Sequence, residues 1–513
     1  MKYASIIGNL LLICAMTLLS LLSGELIFRV IDGYKPISLD LVSTRPARPL
    51  DPQFVDRAAQ YAKQIRLDSD FRLKWFDSDF QSIESIVNQR HRLDHPLPQD
   101  WVRAVKQASS RLAKEELRYI YNDNLVKKAC VSGNYPGLLN VFKDDPGFVY
   151  TFKGPDGTAD PAFRFVPHWN LGNFVPNNFG FRGTDLAFPK PTGMIRVAFL
   201  GQSNTEDGWP NLVGFYLNRW ARAVGLHSRF EIVNAGRAGV GIRGIARIMR
   251  YEVAPLRPDI VVVYVGATNL RADDILSAPA TKRKLQVPER KSVEQNPYIT
   301  ILAKADKYSA LLSRISQLTG SSRGVAEPVK PQHQLLIDLS GPVKLDQPGL
   351  PFHLNEEIAG LRYIERATRA IHAALFLTSS IVLAHEGLTL NLSRDYRIYD
   401  QLNSEYWPLT YREIHLAADF ENRAYRALSV EDHLGFLEIA KYFPQDPALF
   451  GDMIHLADVG MNLQAWIVAQ ELAPIIREGM ERAEWPTMST AGPHEMDWAK
   501  QMPTKFVLTR CKK

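Results

Sequence analysis

The sequence predicts an α/β fold, a three-layer α/β/α parallel sheet preceded by a helical N-terminal region. Three observations predict it. From about residue 176, short apolar, β-branched runs alternate with amphipathic stretches, the pattern of strands buried between two helical layers. Those runs stop at glycines and polar clusters, the end at which a parallel sheet binds its ligands. At 513 residues, with 46% apolar and 23% charged side chains, the chain has a globular composition and the length for a large core.

The first element lies apart from that sheet. Ser5–Gly24, SIIGNLLLICAMTLLSLLSG, carries no charge and follows Lys2; such a run is long enough to cross a bilayer as a helix. A cleaved signal peptide has a shorter apolar part and ends at a small-x-small site. No convincing site of that kind follows, and LIFRVI stays apolar beyond Glu25. Residues 1–24 are therefore expected to form a transmembrane anchor. Arg29, Lys35, Arg45 and Arg48 follow the span, and this charge bias alone would keep the body cytoplasmic; orientation stays open at this stage.

Residues 25–175 read as an accessory region. Residues 101–128 place apolar side chains at helical steps, and Pro and Gly cluster from Pro136 to Gly157, as in loops or a linker. The sheet domain is expected over 176–480. IRVAFL (195–200) is a strand buried on both faces, and residues 212–226 have helical spacing. FEIVNAG (230–236) is a second strand, residues 242–256 a second helix, and DIVVVYVGATN (259–269) a third strand. Residues 355–378 read as an amphipathic helix, SSIVLAH (379–385) as a strand, GFLEIA (435–440) as a fifth strand, and 460–480 as a closing helix. Residues 273–354 are too long for a simple loop and read as an insertion bordering the site. Residues 481–513 form a C-terminal tail.

Net charge is +6, spread along the chain rather than gathered into a basic, aromatic-interleaved stripe, which argues against a nucleic-acid partner. Cys14 lies in the apolar run; Cys130 and Cys511 remain, equally readable as a disulfide or as two thiols. No His, Cys and acid grouping has metal-ligand spacing, and no metal or other cofactor is expected. Gly239-Val-Gly241-Ile-Arg-Gly244 fits a dinucleotide-binding GxGxxG. The following strand ends VYVGATN without the acid that would hold a ribose, so no nucleotide cofactor is expected.

The chemistry-bearing residues fall in four clusters: Gly201-Gln202-Ser203-Asn204, Asn234 to Gly239, Gly266 to Asn269, and Asp452-Met-Ile-His455. Each alone has an ordinary structural reading, as a helix cap, a tight turn or chance spacing. Jointly they supply acyl-transfer chemistry. Ser203 is a weak nucleophile until an imidazole takes its proton; His455 can take it, and Asp452 can orient and stabilise that imidazole. The backbone N–H groups of Ser203 and Gly239 and the side-chain amide of Asn269 can form an oxyanion hole. Trp209 and Arg271 lie just after two of these strand ends and are candidates for substrate contact.

The order Ser, Gly, Asn, then Asp-x-x-His on this background resembles the SGNH (GDSL-type) hydrolases over about residues 176–478. PNNFGFRG (176–183) is similar to a segment preceding the domain in membrane-anchored members, and DMIHLADVGMNLQAWIVAQEL resembles the family's closing block. The resemblance implies a flavodoxin-like sheet and a serine esterase. It puts the nucleophile on Ser203, the oxyanion donors on Gly239 and Asn269, and the remaining triad members on Asp452 and His455. It further implies a bacterial, membrane-anchored protein with its catalytic domain on the export side of the envelope and carbohydrate or lipid esters as substrate class, the acyl group expected to be acetyl on carbohydrate or a related envelope substrate. One position departs: the family commonly has Asp before the nucleophile, where this chain has Gln202. The Gly-Gln-Ser-Asn run is similar to the sialate O-acetylesterase branch. The same residues also suit an O-acyltransferase acting on a surface polysaccharide, or a binding protein without turnover.

Overall fold

The computed structural model describes residues 2–32, 52–77, 176–266, 339–347, 349–390 and 409–487, with a few short stretches and single positions between them. At its centre is a five-stranded, all-parallel sheet. Its strands are β1 (Met194–Gly201), β2 (Arg229–Asn234), β3 (Ile260–Tyr264), β4 (Ala374–Thr378) and β5 (Gly435–Leu437), in the spatial order β2-β1-β3-β4-β5. β1 is an interior strand: Phe199 sits opposite Asn234 on one side and opposite Val262 on the other. Every residue of β3 is buried and so are seven of the eight in β1, which explains why both runs are apolar without alternation save for Arg196, whose charge is paired with Glu231.

The N-terminal helices are α1 (Lys2–Asp32), α2 (Pro52–Gln64) and α3 (Lys74–Asp77). In the sheet domain follow α4 (Ser203–Glu206), α5 (Trp209–Ala223), α6 (Ile242–Ile248), α7 (Leu354–Arg369), α8 (Tyr411–Glu431), α9 (Ile439–Tyr442) and α10 (Asp458–Glu481). α5 and α10 pack on each other over one face of the sheet; α6, α7 and α8 pack together over the other. α5 carries Pro210 in its first turn, where a missing N–H costs no helical hydrogen bond.

The region before the domain is partly integral to it. Phe71 and Phe76 meet Trp466 of α10 edge-on, with centroids 5.5 and 5.8 Å away. Gln470 accepts from the Leu67 and Asp68 N–H groups at 3.0 and 3.3 Å. A polar knot ties the opposite, amino-terminal edge of the sheet. Lys190 donates to Asp259 at 2.7 Å with both side chains buried, and Asp259 also accepts from the Arg196 N–H at 2.7 Å.

Several elements differ from the sequence expectation. The helix expected through residue 378 ends at Arg369, and 374–378 form β4 instead; the strand expected over 379–385 thus lies five residues earlier. ALFLT is apolar at every position but its last, so periodicity cannot separate a buried strand from a buried helix end. The helix expected over 242–256 is α-helical only to Ile248; it then widens into a π turn and closes with a 3₁₀ turn that contains Pro255. α8 is an added helix, opened by a capping box in which Thr410 and Glu413 satisfy each other's backbone N–H groups. The helix expected over 101–128 and both Cys130 and Cys511 lie outside the described residues.

The transmembrane helix expected over 1–24 is not shown. Among the described residues, no helix is long and apolar enough to cross a membrane. The backbone of α1 runs unbroken for 31 residues. Its side chains up to Leu11 and at Cys14, Ile31 and Asp32 lie outside the description, and among the others Leu12, Ile13, Leu18 and Leu22 are exposed.

Candidate active site

β1 ends at Gly201, and the chain turns at once into α4. No other residue fits at this corner: a Cβ on Gly201 would lie 2.0 Å from Thr205 Oγ1 and 2.3 Å from the Tyr264 carbonyl oxygen. Gln202 occupies the cap position of α4 and makes no side-chain cap bond. Ser203 therefore stands one residue inside the helix, and its hydroxyl is directed elsewhere. His455 Nε2 lies 2.7 Å from Ser203 Oγ, across 252 residues of chain. His455 Nδ1 lies 2.8 Å from Asp452 Oδ2 and 3.0 Å from Oδ1.

The loop carrying this pair is held by its own backbone. Asp452 Oδ1 accepts from the N–H groups of Ile454 and His455 at 3.0 and 2.8 Å, and Gly451 N–H donates to His455 O at 2.8 Å. The D-x-x-H spacing is thus an Asx-type turn closed on the same carboxylate that orients the imidazole. Burial tends to lower the basicity of His455, but the hydrogen bond and charge of Asp452 outweigh it and hold the imidazole pKa above its ordinary value. Burial would likewise raise Asp452, yet the hydrogen bond and charge of His455 and the two backbone donors hold it below the usual carboxylate range. Burial pushes Asp207 up, opposed by His455 and Arg182.

Gly236 presses the second turn against α4, since a Cβ there would lie 2.2 Å from the Glu206 backbone nitrogen. Ala238 N–H donates to Glu206 Oε2 at 2.8 Å, and Asn234 Oδ1 accepts from Gly236 N–H at 3.2 Å. This fastens the turn that presents Gly239, which has φ +71°. Ser203 lies in the first turn of α4, where backbone N–H groups have no partner within the helix. Asn269 and Arg271 lie outside the described residues.

Trp209 is a correction. It is 0% exposed, stacked edge-on between Phe199 and Tyr264, and its indole N–H donates to the Asn204 carbonyl at 2.7 Å. An aromatic following a catalytic turn reads as a substrate contact in sequence; here its rings fill the core and its N–H braces α4 from below. The structure also adds residues to which the sequence assigned no role at the site. Arg182, from PNNFGFRG, donates to the Glu206 carbonyl at 3.1 Å. Gln401 accepts from the Met453 N–H at 3.0 Å, and Arg397 lies 4.0 Å from Asp452 Oδ2. Glu206, three residues beyond the serine, carried no motif, and the helical spacing read from the sequence begins only at residue 212.

Among the described residues, no three His, Cys, Asp or Glu side chains are grouped to hold a metal ion. No protein-family model matches the chain, and no curated protein does. Solved structures are similar at low identity. An acetyl xylan esterase is 14% identical, with 55% of this chain and 100% of that one covered and a TM-score of 0.29. A GDSL-like lipase from Bacteroides thetaiotaomicron is 12% identical, with 58% and 93% covered and a TM-score of 0.29. A lipase/acylhydrolase from Enterococcus faecalis is 15% identical, with 54% and 95% covered and a TM-score of 0.28. At these values the likeness carries no argument about activity.

Proposed function

We propose that this chain is a serine ester hydrolase of the SGNH type, with Ser203 as nucleophile, His455 as general base and acid, and Asp452 as the group that orients His455. The observation that carries this is the 2.7 Å approach of His455 Nε2 to Ser203 Oγ, backed by Asp452 on the other ring nitrogen. In the reaction, Ser203 Oγ attacks the ester carbonyl carbon as His455 takes its proton. The tetrahedral oxyanion is held by the N–H groups of Ser203 and Gly239 and by Asn269. Its collapse breaks the bond to the alcohol oxygen, which takes the proton back from His455. Water then attacks the acyl-Ser203 ester with His455 as base, releasing the acid and restoring the serine. On the resemblance alone, the acyl group is proposed to be acetyl and its carrier a carbohydrate.

Ser203→Ala is expected to abolish hydrolysis of p-nitrophenyl acetate with an unchanged melting temperature, and a fluorophosphonate probe is expected to label the native chain at Ser203. Full activity in the variant, or labelling at another serine, would remove the mechanism.

The uncharged Ser5–Gly24 run supports a further proposal, that residues 1–24 anchor the chain in a membrane with the catalytic domain on the extracytoplasmic side.

A further inference from the structure

A cavity of about 280 Å³ lies between the carboxyl end of β5, α8 and the segment that leaves β4. It shares the catalytic edge of the sheet. Ser380, in its wall, stands where a Cβ on Gly266 would meet its Oγ at 3.0 Å, and Gly266 follows β3. Further along the same segment, Leu383 N–H donates to the carbonyl of Met453, inside the Asp452–His455 loop, at 2.8 Å. β4 and β5 are two and three strands from β1, which puts the cavity roughly 10–15 Å from the nucleophile's strand.

The lining decides what kind of ligand fits. Its charges are mostly matched. Arg423 donates to Asp419 at 2.8 Å, to the Gly341 carbonyl at 2.6 Å and to the Leu339 carbonyl, and Arg426 pairs with Glu438. Asn422 is occupied with the Ser380 backbone, accepting at 2.7 Å and donating at 3.1 Å. Two groups remain. Lys441 is exposed and makes no ion pair within 4.0 Å among the described residues, although its charge acts on Glu471; its ammonium lies 5.2 Å from the Tyr442 ring centroid. Gln445 Oε1 is buried without a hydrogen-bond partner.

An acyl chain would leave the buried Gln445 oxygen facing hydrocarbon, an unfavourable state for a buried polar atom. An anion would meet the Gln445 oxygen and the Asp419 and Glu438 carboxylates, and only Lys441, whose charge already acts on Glu471, to offset them. A hydroxyl satisfies both groups, because each donates one hydrogen bond and accepts others; it answers the Gln445 amide whichever way that amide is turned. Phe436 adds an aromatic surface to the lining.

We propose that this cavity is a distal subsite that holds a neutral, hydroxyl-rich sugar unit of an oligomeric substrate while another unit presents its ester to Ser203. This rests on the serine-esterase reading for its role in catalysis, but its binding chemistry is independent of turnover.

The test uses the full-length Ser203→Ala chain, titrated calorimetrically with neutral xylo- and chito-oligosaccharides of increasing length. Affinity is expected to rise with length and to fall about tenfold when Gln445→Leu or Lys441→Ala is added. With Ser203 intact, Gln445→Leu is expected to hydrolyse p-nitrophenyl acetate at the native rate. No binding by either oligosaccharide series, or binding that neither substitution alters, overturns the subsite. So does a preference for oligogalacturonate, or a Gln445→Leu effect confined to p-nitrophenyl octanoate, which would mark an anion site or an acyl-chain site. Gln445-dependent sugar binding in a chain that cannot hydrolyse aryl acetates would keep the subsite and sink the esterase; the opposite pair of results would do the reverse.

Discussion

At the scale of single residues, the site depends on one carboxylate doing two things. Asp452 closes its own turn through two backbone N–H groups and orients His455 through Nδ1. Asparagine can keep an oxygen for the backbone donors but loses the charge. Asp452→Asn is therefore expected to lower kcat by about 10⁴-fold without unfolding the loop. The pH dependence has a defined sign. Only neutral His455 can accept the serine proton, and its pKa is held above 6.5, so kcat/KM of the native chain falls as pH drops, with a midpoint above that value. In Asp452→Asn the charge of the main raising partner is gone, with only Asp207 left to raise and burial and Arg397 still lowering, so the midpoint moves to lower pH. A pH profile of aryl acetate hydrolysis reads both; an unshifted midpoint would show that Asp452 does not set the basicity of His455. Ser203, Asp452 and His455 were legible as residue types at a spacing. Arg182, Glu206 and Gln401 were not, because a side chain that braces a carbonyl or an N–H can come from any part of the chain.

At the scale of elements, the strands with the most complete burial were the most legible. β1 and β3 lie between two neighbours and under two helical layers, so all but one of their positions are apolar or Gly. The exception is the buried, ion-paired Arg196 of β1. β3 ends at Tyr264, five residues short of the expected end. β4 was misplaced for the same cause: uniform burial erases the periodicity that separates strand from helix. The α3 segment shows the opposite limit. Lys74–Asp77 is one turn long, too short to be stable as an isolated helix, and its conformation depends on α10. Phe76 is 0% exposed and packs against Trp466. Phe76→Ala is expected to destabilise the fold by about 3–5 kcal/mol, read as a lower urea midpoint. A midpoint within error of the native chain would show that residues 52–77 are an appendage.

At the scale of the whole molecule, the order β2-β1-β3-β4-β5 sends the chain from β1 to one side of the sheet and then back to the other. The crevice formed where the connections diverge is where such sheets bind ligands, and Ser203 stands at its rim. If residues 1–24 anchor this body to a membrane, the full chain is expected in the carbonate-resistant membrane fraction and a chain lacking 1–24 in the soluble one; a soluble full-length chain would refute the anchor. The sequence by itself determined the α/β class, the central strands and the triad candidates, because burial and chemistry each restrict residue type locally. It could not separate Ser203 as a helix cap from Ser203 as a nucleophile. Only the tertiary structure bears on that choice: it places the cap position on Gln202 and His455 Nε2 2.7 Å from the serine oxygen, which supports the proposal of a nucleophile. It likewise turned Trp209 from a substrate contact into a core brace. Both outcomes depend on which segments a parallel sheet makes neighbours, and that is a property of the assembled strands.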